Sequence, residues 1–329
     1  MGIKGFSQFL KHINCNWTVL NLSDFTGKTV AIDATMYLFY MKLSAREPSK
    51  MFMEFLIKLW GLNITPIFVI DGQSVAEKND EHIARAMRRK TLQDVINLLS
   101  EQLENYKINK IIGPELEKLV QSNTKFIFRL GNNRINIYAI QTHIAKLYRE
   151  VKPIPKHVKE MFYTICESFN IQVITAENDG ELLCAEMNKL GLVDFVYSHD
   201  SDVFPAGAKN VIKHIDSMSV KYLSQSEILE KSKLSFSSFM DLCILCGTDF
   251  NKKIPRLGPI TAYALIKKWG TLEQIEANTN YNLEPINYHR IREIYSDINT
   301  VKVKKCIKLN KTAIFANVII KYNLYRLWV

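Results

Sequence analysis

The sequence predicts an α/β fold in which helices flank a central, mostly parallel β-sheet. Two observations lead to this prediction. Four short runs rich in β-branched and aromatic residues alternate with stretches of helical periodicity. Each run also ends at an acidic residue or leads directly into one. Strands that helices cover on both faces are continuously apolar, and functional groups in such folds gather at the carboxyl ends of the strands.

The predicted strands occupy residues 29–33, 66–71, 171–175 and 194–198. The helical patterns among them cover residues 34–43, 51–62 and 158–169. Parallel neighbours need a crossover connection of about a dozen residues or more, and segments of this length can supply it. The alternation of strand and helix therefore favours a parallel arrangement over hairpins in this part of the chain.

The middle of the chain, residues 75–150, breaks this rhythm and is interpreted as an insertion over one edge of the sheet. It opens with a charged helical stretch at 78–103, and a hairpin is predicted at 125–138 around a Gly131-Asn-Asn turn. From about residue 227 to 275 the pattern is helical. We divide the chain into an α/β core at 1–228 that contains the insertion, a helical region at 229–285 and a helical, basic tail at 286–329.

Seven carboxylates follow the predicted strands or a later helix, and we expect them to share one crevice. They are Asp33, Asp71, Asp179, Glu181, Asp200, Asp202 and Asp249. A single acid after a strand is often only a helix cap or a turn former. Many like charges in one place, however, repel each other unless cations neutralise them, and carboxylate oxygens suit Mg²⁺ or Mn²⁺ rather than zinc. Two such ions are a recurring device for the hydrolysis of phosphodiesters.

Composition indicates an ordinary globular protein with a polyanionic partner. The chain has 329 residues, 47% of them hydrophobic, and 43 Lys and Arg against 33 Asp and Glu give a net charge of +10. No apolar run reaches the ~18–20 residues that span a bilayer, and Lys4 and Lys11 precede any long apolar stretch, so we expect an intracellular protein without a signal peptide. Six scattered cysteines suit reduced core thiols, and Cys243 with Cys246 is interpreted as part of a buried helix.

The sequence also contains two features, a basic run and a turn, that are suited to binding phosphate. Lys78, His82, Arg85 and Arg89 follow helical spacing and are expected to form one cationic stripe, with the nearby acids Glu77, Asp80 and Glu81 largely off it. A solvated face is the usual interpretation of such a run, but a stripe beside a metal site can clamp a phosphate. The turn at 254–259 precedes a helix, whose first N–H groups can bind the phosphate backbone of a duplex.

These residues together resemble the flap endonucleases and related structure-specific 5′ nucleases. The matching blocks are Met-Gly-Ile-Lys-Gly at 1–5, Val-Ala-Ile-Asp-Ala at 30–34, Phe-Val-Ile-Asp-Gly at 68–72, Ala-Glu-Asn-Asp-Gly-Glu at 176–181, His-Asp-Ser-Asp at 199–202, Asp-Leu-Cys-Ile-Leu-Cys-Gly-Thr-Asp at 241–249 and the turn at 254–259. They stand in the family's order from residue 1 to about residue 275. The resemblance implies a PIN-like nuclease core, a helical arch made by the insertion, and a helix–two-turn–helix DNA-binding element at 229–285.

The resemblance also implies a role for each matching residue. The seven acids would hold two Mg²⁺ ions, which Mn²⁺ can replace, directly or through neighbouring groups. Lys78 and Arg85 match the basic pair that contacts the scissile phosphate. Phe39 matches an aromatic residue on which a base stacks, although it also fits a buried helix stripe, and Arg46 matches an arginine that contacts phosphate. Other DNA contacts are expected at Gly2, His82, Arg89, Arg256, Gly258, Ile260 and Lys267. Arg256 replaces a turn glycine of the family, which bears on a phosphate contact bridged by K⁺.

The expected function is a Mg²⁺-dependent, structure-specific 5′ nuclease that cuts branched DNA at junctions of single strand and duplex in replication, repair or recombination. A 5′–3′ exonuclease, a gap endonuclease or a junction resolvase of the same family remains open. A catalytically inactive DNA-binding scaffold and an acidic-site RNase or phosphatase are the alternatives from other classes. The long insertion resembles flap-endonuclease-like nucleases of large DNA viruses such as poxviruses, so the expected location is the nucleus or a viral factory in host cytoplasm. We expect a monomer, no membrane partner and no sliding-clamp motif.

Overall fold

The computed structural model describes residues 2–127, 135–216 and 218–296. The strands are β1 (Thr18–Asn21), β2 (Thr29–Asp33), β3 (Thr65–Ile70), β4 (Val173–Thr175), β5 (Phe195–Tyr197), β6 (Asn210–Asp216) and β7 (Ser219–Ser224). The described residues form one seven-stranded sheet with the order β1-β7-β6-β5-β2-β3-β4. All pairings from β6 to β4 are parallel, whereas β7 is antiparallel to both β6 and β1. The predicted central, mostly parallel sheet is confirmed.

Helices cover both faces of this sheet. They are α1 (Phe6–His12), α2 (Ala34–Leu43), α3 (Pro48–Gly61), α4 (Asn79–Asn109), α5 (Pro114–Ser122), α6 (Ile137–Val151), α7 (Lys156–Ser168), α8 (Gly180–Lys189), α9 (Gln225–Ser232), α10 (Phe236–Cys246), α11 (Pro259–Trp269), α12 (Leu272–Asn278) and α13 (Tyr288–Ser296).

Strand β2 shows why the sheet is buried on both sides. Val30 and Ile32 point into a core built with α2, α3 and α7, whereas Ala31 points into a second core built with α1, α8, α10 and α11. All three side chains are buried. Successive residues of a strand face opposite sides, so a continuously apolar strand fills two cores.

The predicted elements of the core agree closely with the structure. Helix α2 has the predicted bounds, and α7 begins two residues before its predicted start. Helix α3 begins earlier than predicted, at Pro48, because the Glu47 side chain accepts the N–H groups of Ser49 (3.1 Å) and Lys50 (2.8 Å) and so caps the helix. The strands β1, β6 and β7 were not predicted, because they lie at the mixed edge of the sheet and lack a continuous apolar run.

The insertion is a helical unit with a small core of its own. Helix α4 runs past the predicted end of the charged stretch, and α5 and α6 pack against it. The core of the unit consists of Leu103, Tyr106, Leu116, Phe126, Ile135 and Ile140. The bounds of the predicted hairpin at 125–138 are too wide, because 124–126 is a 3₁₀ turn and α6 begins at Ile137. A single antiparallel bridge joins Ile127 to Ile135, and the predicted turn itself lies outside the described residues.

Two side chains fasten the returning end of the insertion to α2. The buried Lys42 ammonium donates to the carbonyl oxygens of Glu150 (3.2 Å) and Lys152 (2.7 Å), at the end of α6. Arg149 Nε in turn donates to the carbonyl of Leu43, at the end of α2, over 3.2 Å. Each helix therefore contributes the cation that satisfies the last carbonyl groups of the other.

The C-terminal helices pack on the second core. Cys243 and Cys246 lie in α10 and are buried, so the predicted buried helix is confirmed. Burial raises the pKa of the Cys246 thiol to about 12, which keeps it protonated at neutral pH. None of the helices in the described part of the chain is long and apolar enough to cross a membrane.

Candidate active site

Five of the seven acids lie at the carboxyl ends of four neighbouring strands. Asp33 is the last residue of β2, Asp71 follows β3, and Asp179 lies between β4 and α8. Asp200 and Asp202 follow β5. The sheet order places β5, β2, β3 and β4 side by side. Because parallel strands end at the same edge, the structure brings these acids together as predicted.

Backbone N–H groups hold the first two acids in place. Asp33 caps α2, and its Oδ1 atom accepts the N–H of Met36 over 2.9 Å. Asp71 Oδ1 accepts the N–H of Gly180, at the start of α8, over 2.8 Å. The end of β3 is thereby joined to the helix that carries Glu181.

Asp200, Asp202 and Asp249 are linked to one another by backbone N–H groups. The N–H of Asp202 donates to Asp200 Oδ1 over 3.1 Å, and the N–H of Asp249 donates to Asp202 Oδ2 over 3.4 Å. The N–H of Gly2 reaches Asp249 Oδ1 over 3.4 Å. Gly2 has a φ of 81°, and a Cβ atom there would lie 2.0 Å from Asp200 Oδ1. The site therefore requires glycine at the second residue, because only glycine combines this backbone conformation with so close an approach.

Two cations from the start of the insertion reach into this cluster. Lys78, in a 3₁₀ turn just before α4, places Nζ 2.8 Å from Asp179 Oδ1 and 3.0 Å from Glu181 Oε1. One Arg85 N–H group of α4 donates to Asp249 Oδ2. Glu81 was expected to lie off the basic stripe, but its Oε1 lies 2.9 Å from Arg85 Nε, because a helix brings residues i and i+4 together.

Burial makes the negative charges of the cluster costly. It raises the pKa of Asp33 to about 7, and the charges of Asp71 and Asp200 add to the shift. Burial also raises the pKa values of Glu181 and Asp202 well above their usual range, and the charge of Asp200 raises them further. For Lys78 burial acts to lower the pKa, but the charges of Glu181 and Asp179 outweigh it and raise the pKa. The cluster thus holds more negative charge than its two cations offset.

The donor set fits hard divalent cations. Asp179 Oδ2 is buried and has no hydrogen-bond partner, so one oxygen of the cluster is left for a ligand. Among the described residues, no three Asp, Glu, His or Cys side chains are arranged around one point that could hold a metal ion, and Lys78 and Arg85 occupy oxygens of three of the acids. Carboxylate oxygens are the ligands that Mg²⁺ prefers, and the unpartnered Asp179 Oδ2 atom is available to such an ion.

Comparisons with known proteins bear on the same residues. The family model of the XPG N-terminal domain matches residues 1–92, and the model of the XPG I-region matches residues 170–249, which together exceed half of the chain. These two ranges contain all seven acids and both cations. The chain belongs to the XPG family of structure-specific 5′ nucleases. Nucleases of this family are metal-dependent hydrolases that act on DNA.

Individual relatives of this XPG-family protein span nearly its whole length. The RAD2-like endonuclease 095R of Frog virus 3 (isolate Goorha) is 28% identical over 306 residues, which cover 90% of this chain and 83% of the relative. Flap endonuclease 1 of Cryptosporidium muris is 26% identical, covering 93% of this chain and 64% of the relative. The catalytic core of Rad2 in complex with a DNA substrate has the same fold, with a TM-score of 0.58, 20% identity, and coverage of 97% of this chain and 84% of that one.

The other contacts predicted on α2, α4 and the loop after α2 lie on the surface. Phe39 is 38% exposed, so it is not the buried core residue that its spacing also allowed, and Lys42 Nζ lies 3.9 Å from its ring centroid. Arg46 is exposed and ion-paired with Glu54. His82 Nε2 lies 3.4 Å from the hydroxyl of Ser74, and Arg89 is exposed on α4. No finding tests whether these four residues contact DNA, so their roles remain predictions.

The turn before α11 keeps a glycine-like backbone although the glycine is absent. Arg256 has a φ of 61°, in the left-handed region. Gly258 is the N-cap of α11, Ile260 is 42% exposed, and Lys267 is exposed. Pro259 packs against Gly5, where a Cβ atom would lie 2.7 Å from its ring. Arg256 therefore adopts the backbone conformation of the glycine that it replaces, at a cost in backbone strain of about 1–2 kcal/mol.

We expect Arg256→Gly to raise the free energy of unfolding by about 1 kcal/mol, because glycine adopts this conformation without strain. Arg256→Ala is the matched variant, since it removes the same charge but keeps a Cβ atom and should give no such gain. Urea unfolding of the three proteins measures the difference. Equal stability of Arg256→Gly and Arg256→Ala would show that the turn carries no strain.

Gly72 sets the spacing between the loops that carry Asp71 and Asp179. Its N–H donates to the carbonyl of Asn178 over 2.7 Å, and a Cβ atom on Gly72 would lie 2.0 Å from the carbonyl oxygen of Ala176. A side chain here must push the two loops apart.

We expect Gly72→Ala to lower the rate of DNA cleavage by about 10²-fold, since a displacement of about 1 Å in a catalytic group costs that much. Single-turnover cleavage with protein in excess measures the rate. Gly61→Ala is the control, because a Cβ atom on Gly61 meets nothing within 4 Å. Normal cleavage by Gly72→Ala would mean that the two loops can separate without moving the acids.

Two aromatic residues that the sequence did not predict contact the site, Phe250 and Tyr295. Phe250 follows Asp249 directly, and its ring centroid lies 4.8 Å from Lys78 Nζ. Tyr295 of α13 is 1% exposed and donates its hydroxyl to Asp202 Oδ1 over 3.2 Å. Phe250 adjoins a predicted acid and could have been suspected on that ground. Nothing in the sequence pattern distinguishes Tyr295 from an ordinary core residue.

Proposed function

We propose that this protein cuts branched DNA at junctions between single strand and duplex, with two Mg²⁺ ions held by the seven acids and with Lys78 and Arg85 acting on the scissile phosphate. One observation carries the proposal. Two cations seven residues apart in the chain, Lys78 and Arg85, form ion pairs with carboxylates of one cluster, at Asp179 and Asp249. A cationic pair facing a metal-binding acidic site is suited to hold a phosphodiester between them.

The donor inventory leaves both cations able to bind phosphate. An ammonium has three N–H donors, and Lys78 uses two of them on Asp179 and Glu181. A guanidinium has five, and Arg85 spends one on Glu81 and one on Asp249. These pairs hold both side chains at the acid cluster, where charge would develop on the phosphate. The divalent ions, when bound, supply Lewis acidity towards the attacking water and the leaving oxygen.

Contacts farther from the acids would provide the grip on DNA. The exposed Phe39 can stack on a nucleobase without sequence preference. The N–H groups at the start of α11, with Lys267 in its last turn, can bind the phosphates of the duplex. Arg256 adopts the left-handed backbone that a glycine would adopt at this turn, so we include K⁺ at this turn in the proposal. Phosphate contacts of this kind predict that binding weakens steeply with salt.

A substrate panel tests the function. Labelled 5′-flap, nicked, gapped, four-way-junction and blunt duplex DNA are incubated with the protein in Mg²⁺ or in EDTA, beside Asp179→Asn. Asp179 is chosen because its Oδ2 atom has no partner in the protein. Asp94→Asn is the control, since Asp94 is an exposed acid on α4.

We expect the protein and the Asp94→Asn control to cut the flap in Mg²⁺, and we expect loss of cutting in EDTA or in Asp179→Asn. Cleavage that persists in both would overturn the metal-dependent mechanism, and cleavage of no substrate would overturn the assignment of activity. Preference for blunt ends, gaps or four-way junctions would instead identify the 5′–3′ exonuclease, gap endonuclease or junction resolvase of the same family.

A further inference from the structure

Helix α13, which lies in the predicted tail, contributes one side chain to the acid cluster. Tyr295 lies in its last turn, is 1% exposed, and donates its hydroxyl to Asp202 Oδ1 over 3.2 Å. Asp202 is fully buried, and its other oxygen accepts only the longer bond from the N–H of Asp249, at 3.4 Å. The phenol therefore supplies the shorter of the two hydrogen bonds that orient this carboxylate.

The ring of Tyr295 is also linked to Lys78 through Phe250. Tyr295 meets Phe250 edge to face, with ring centroids 5.5 Å apart. Phe250 in turn lies under the Lys78 ammonium, 4.8 Å from its centroid. An ammonium over an aromatic face is attracted to it. Tyr295 thus contacts Asp202 through its hydroxyl. Its ring packs against Phe250, the aromatic residue whose ring lies next to the Lys78 ammonium.

Other contacts fix α13 independently of Tyr295. Arg292 donates to both oxygens of the buried Asp241, over 2.7 and 2.6 Å. Arg290 Nε lies 2.8 Å from Glu77 Oε1, next to Lys78 in the chain. Removal of the Tyr295 hydroxyl alone should therefore leave the helix in position, so the effect of the hydroxyl on the site can be measured separately.

We propose that Tyr295 is a positioning residue of the active site, which holds Asp202 in the orientation that metal binding requires and supports Lys78 through Phe250. The inference rests on the proposed function, because it assigns Asp202 to the metal-binding set. It makes α13, at Tyr288–Ser296 within the predicted tail, a support of the active site. Partners that orient a metal ligand are worth about 10- to 100-fold in metal affinity or activity.

The test compares two tyrosines of one helix. Tyr295→Phe removes the hydroxyl that faces Asp202. Tyr288→Phe is the control, because Tyr288 is also buried in α13 and donates over 2.9 Å to Glu276, which is not one of the seven acids. Mn²⁺ binding is measured by calorimetry without DNA, and kcat and KM are measured on the flap substrate in Mg²⁺.

We expect Tyr295→Phe to weaken Mn²⁺ binding or lower kcat by about 10- to 100-fold, with KM for DNA and the urea unfolding midpoint close to those of Tyr288→Phe. Equal metal affinity and kcat in the two variants would overturn the proposal. The calorimetry also separates it from the proposed function: if the unmodified protein cuts no DNA, a loss of Mn²⁺ affinity in Tyr295→Phe alone still supports the positioning role.

A second measurement uses the unmodified protein, in case Tyr295→Phe does not fold. The tyrosine rings are labelled with ¹³C and followed by NMR during a titration with Ca²⁺, which does not require DNA. The resonance of Tyr295 should shift with the same half-saturation as metal binding, while that of Tyr288 should stay in place. A Tyr295 resonance that does not respond to saturating Ca²⁺ would contradict a contact with the metal-binding set.

Discussion

Replacement of Lys78 by methionine is expected to lower kcat on a 5′-flap substrate by about 10²- to 10³-fold, the usual cost of removing one group that stabilises charge in a transition state. Methionine keeps most of the apolar stem that packs near Phe250 and removes only the ammonium. Without it, Asp179 and Glu181 lose their counter-ion at 2.8 and 3.0 Å. The metal-free variant should therefore unfold more easily, and Mg²⁺ should restore more stability to it than to the unmodified protein.

Single-turnover rates and thermal unfolding, each with and without Mg²⁺, distinguish two roles for Lys78. If the residue only neutralises carboxylates in the absence of metal, saturating Mg²⁺ should restore the full rate to Lys78→Met. If it acts on the phosphate, the rate should stay low while stability recovers. Lys90→Met is the matched control, because Lys90 is an exposed lysine of α4, the helix that follows Lys78. A Lys78→Met protein as active as Lys90→Met would refute the catalytic assignment.

The location of the acids could be predicted from sequence because it follows from local pattern and general topology. A buried parallel strand is a short apolar run, and an acid at its end must lie at the carboxyl edge of the sheet. Asp33, Asp71 and Asp200 lie where this argument places them. The spacing of Lys78 and Arg85 predicted a common cationic stripe, and the resemblance to flap endonucleases singled out these two residues; the structure places Lys78 in the turn just before α4 and Arg85 on α4.

Contacts between distant parts of the chain could not be predicted in this way. Tyr295 is 93 residues from Asp202 along the chain, and its role depends on the packing of α13. The insertion misled the prediction for a related reason. An apolar stretch broken by Gly131-Asn-Asn has the local pattern of a hairpin, but Phe126, Ile135 and Ile140 pack with α4 and α5 in a small helical core. At the predicted ends, burial in this core favours the 3₁₀ turn at 124–126 and the start of α6, whereas the bridge between Ile127 and Ile135 keeps the antiparallel pairing that the local pattern predicts.

The net charge of +10 acquires a more specific meaning once the acids are placed. Seven of the 33 acidic residues gather at one edge of the sheet, so the rest of the molecule is more basic than the total suggests. A phosphodiester is attracted to the basic surface and repelled by the acid cluster. Among the described residues, Lys78 and Arg85 form ion pairs with the cluster, and under the proposed function divalent ions would complete the charge balance that admits the phosphate. Binding should thus depend mainly on salt, and cutting on Mg²⁺.

The ion pair between Asp241 and Arg292 is expected to give the largest effect on stability. Asp241 is 3% exposed, and Arg292 donates to its oxygens over 2.7 and 2.6 Å. Burial raises the pKa of Asp241, while the hydrogen bonds and charge of Arg292 oppose that shift. Arg292→Met leaves this carboxylate buried with only the N–H of Leu272, at 3.2 Å. We expect a loss of about 3 kcal/mol in the free energy of unfolding, because an unpaired buried charge is costly.

Urea unfolding of a double variant shows whether the unpaired charge is the cause. Asp241→Asn combined with Arg292→Met removes both charges but keeps a side-chain acceptor for Leu272, so it should recover a large part of the lost stability. Arg290→Met is the control on α13, because its ion pairs with Glu77 and Glu293 are on the surface and should matter little. If the double variant is as unstable as Arg292→Met, the arginine stabilises the protein through the packing of its stem rather than through its charge. In that case the link between α10 and α13 would be mainly apolar, and the position of Tyr295 would depend on the core instead of on the ion pair.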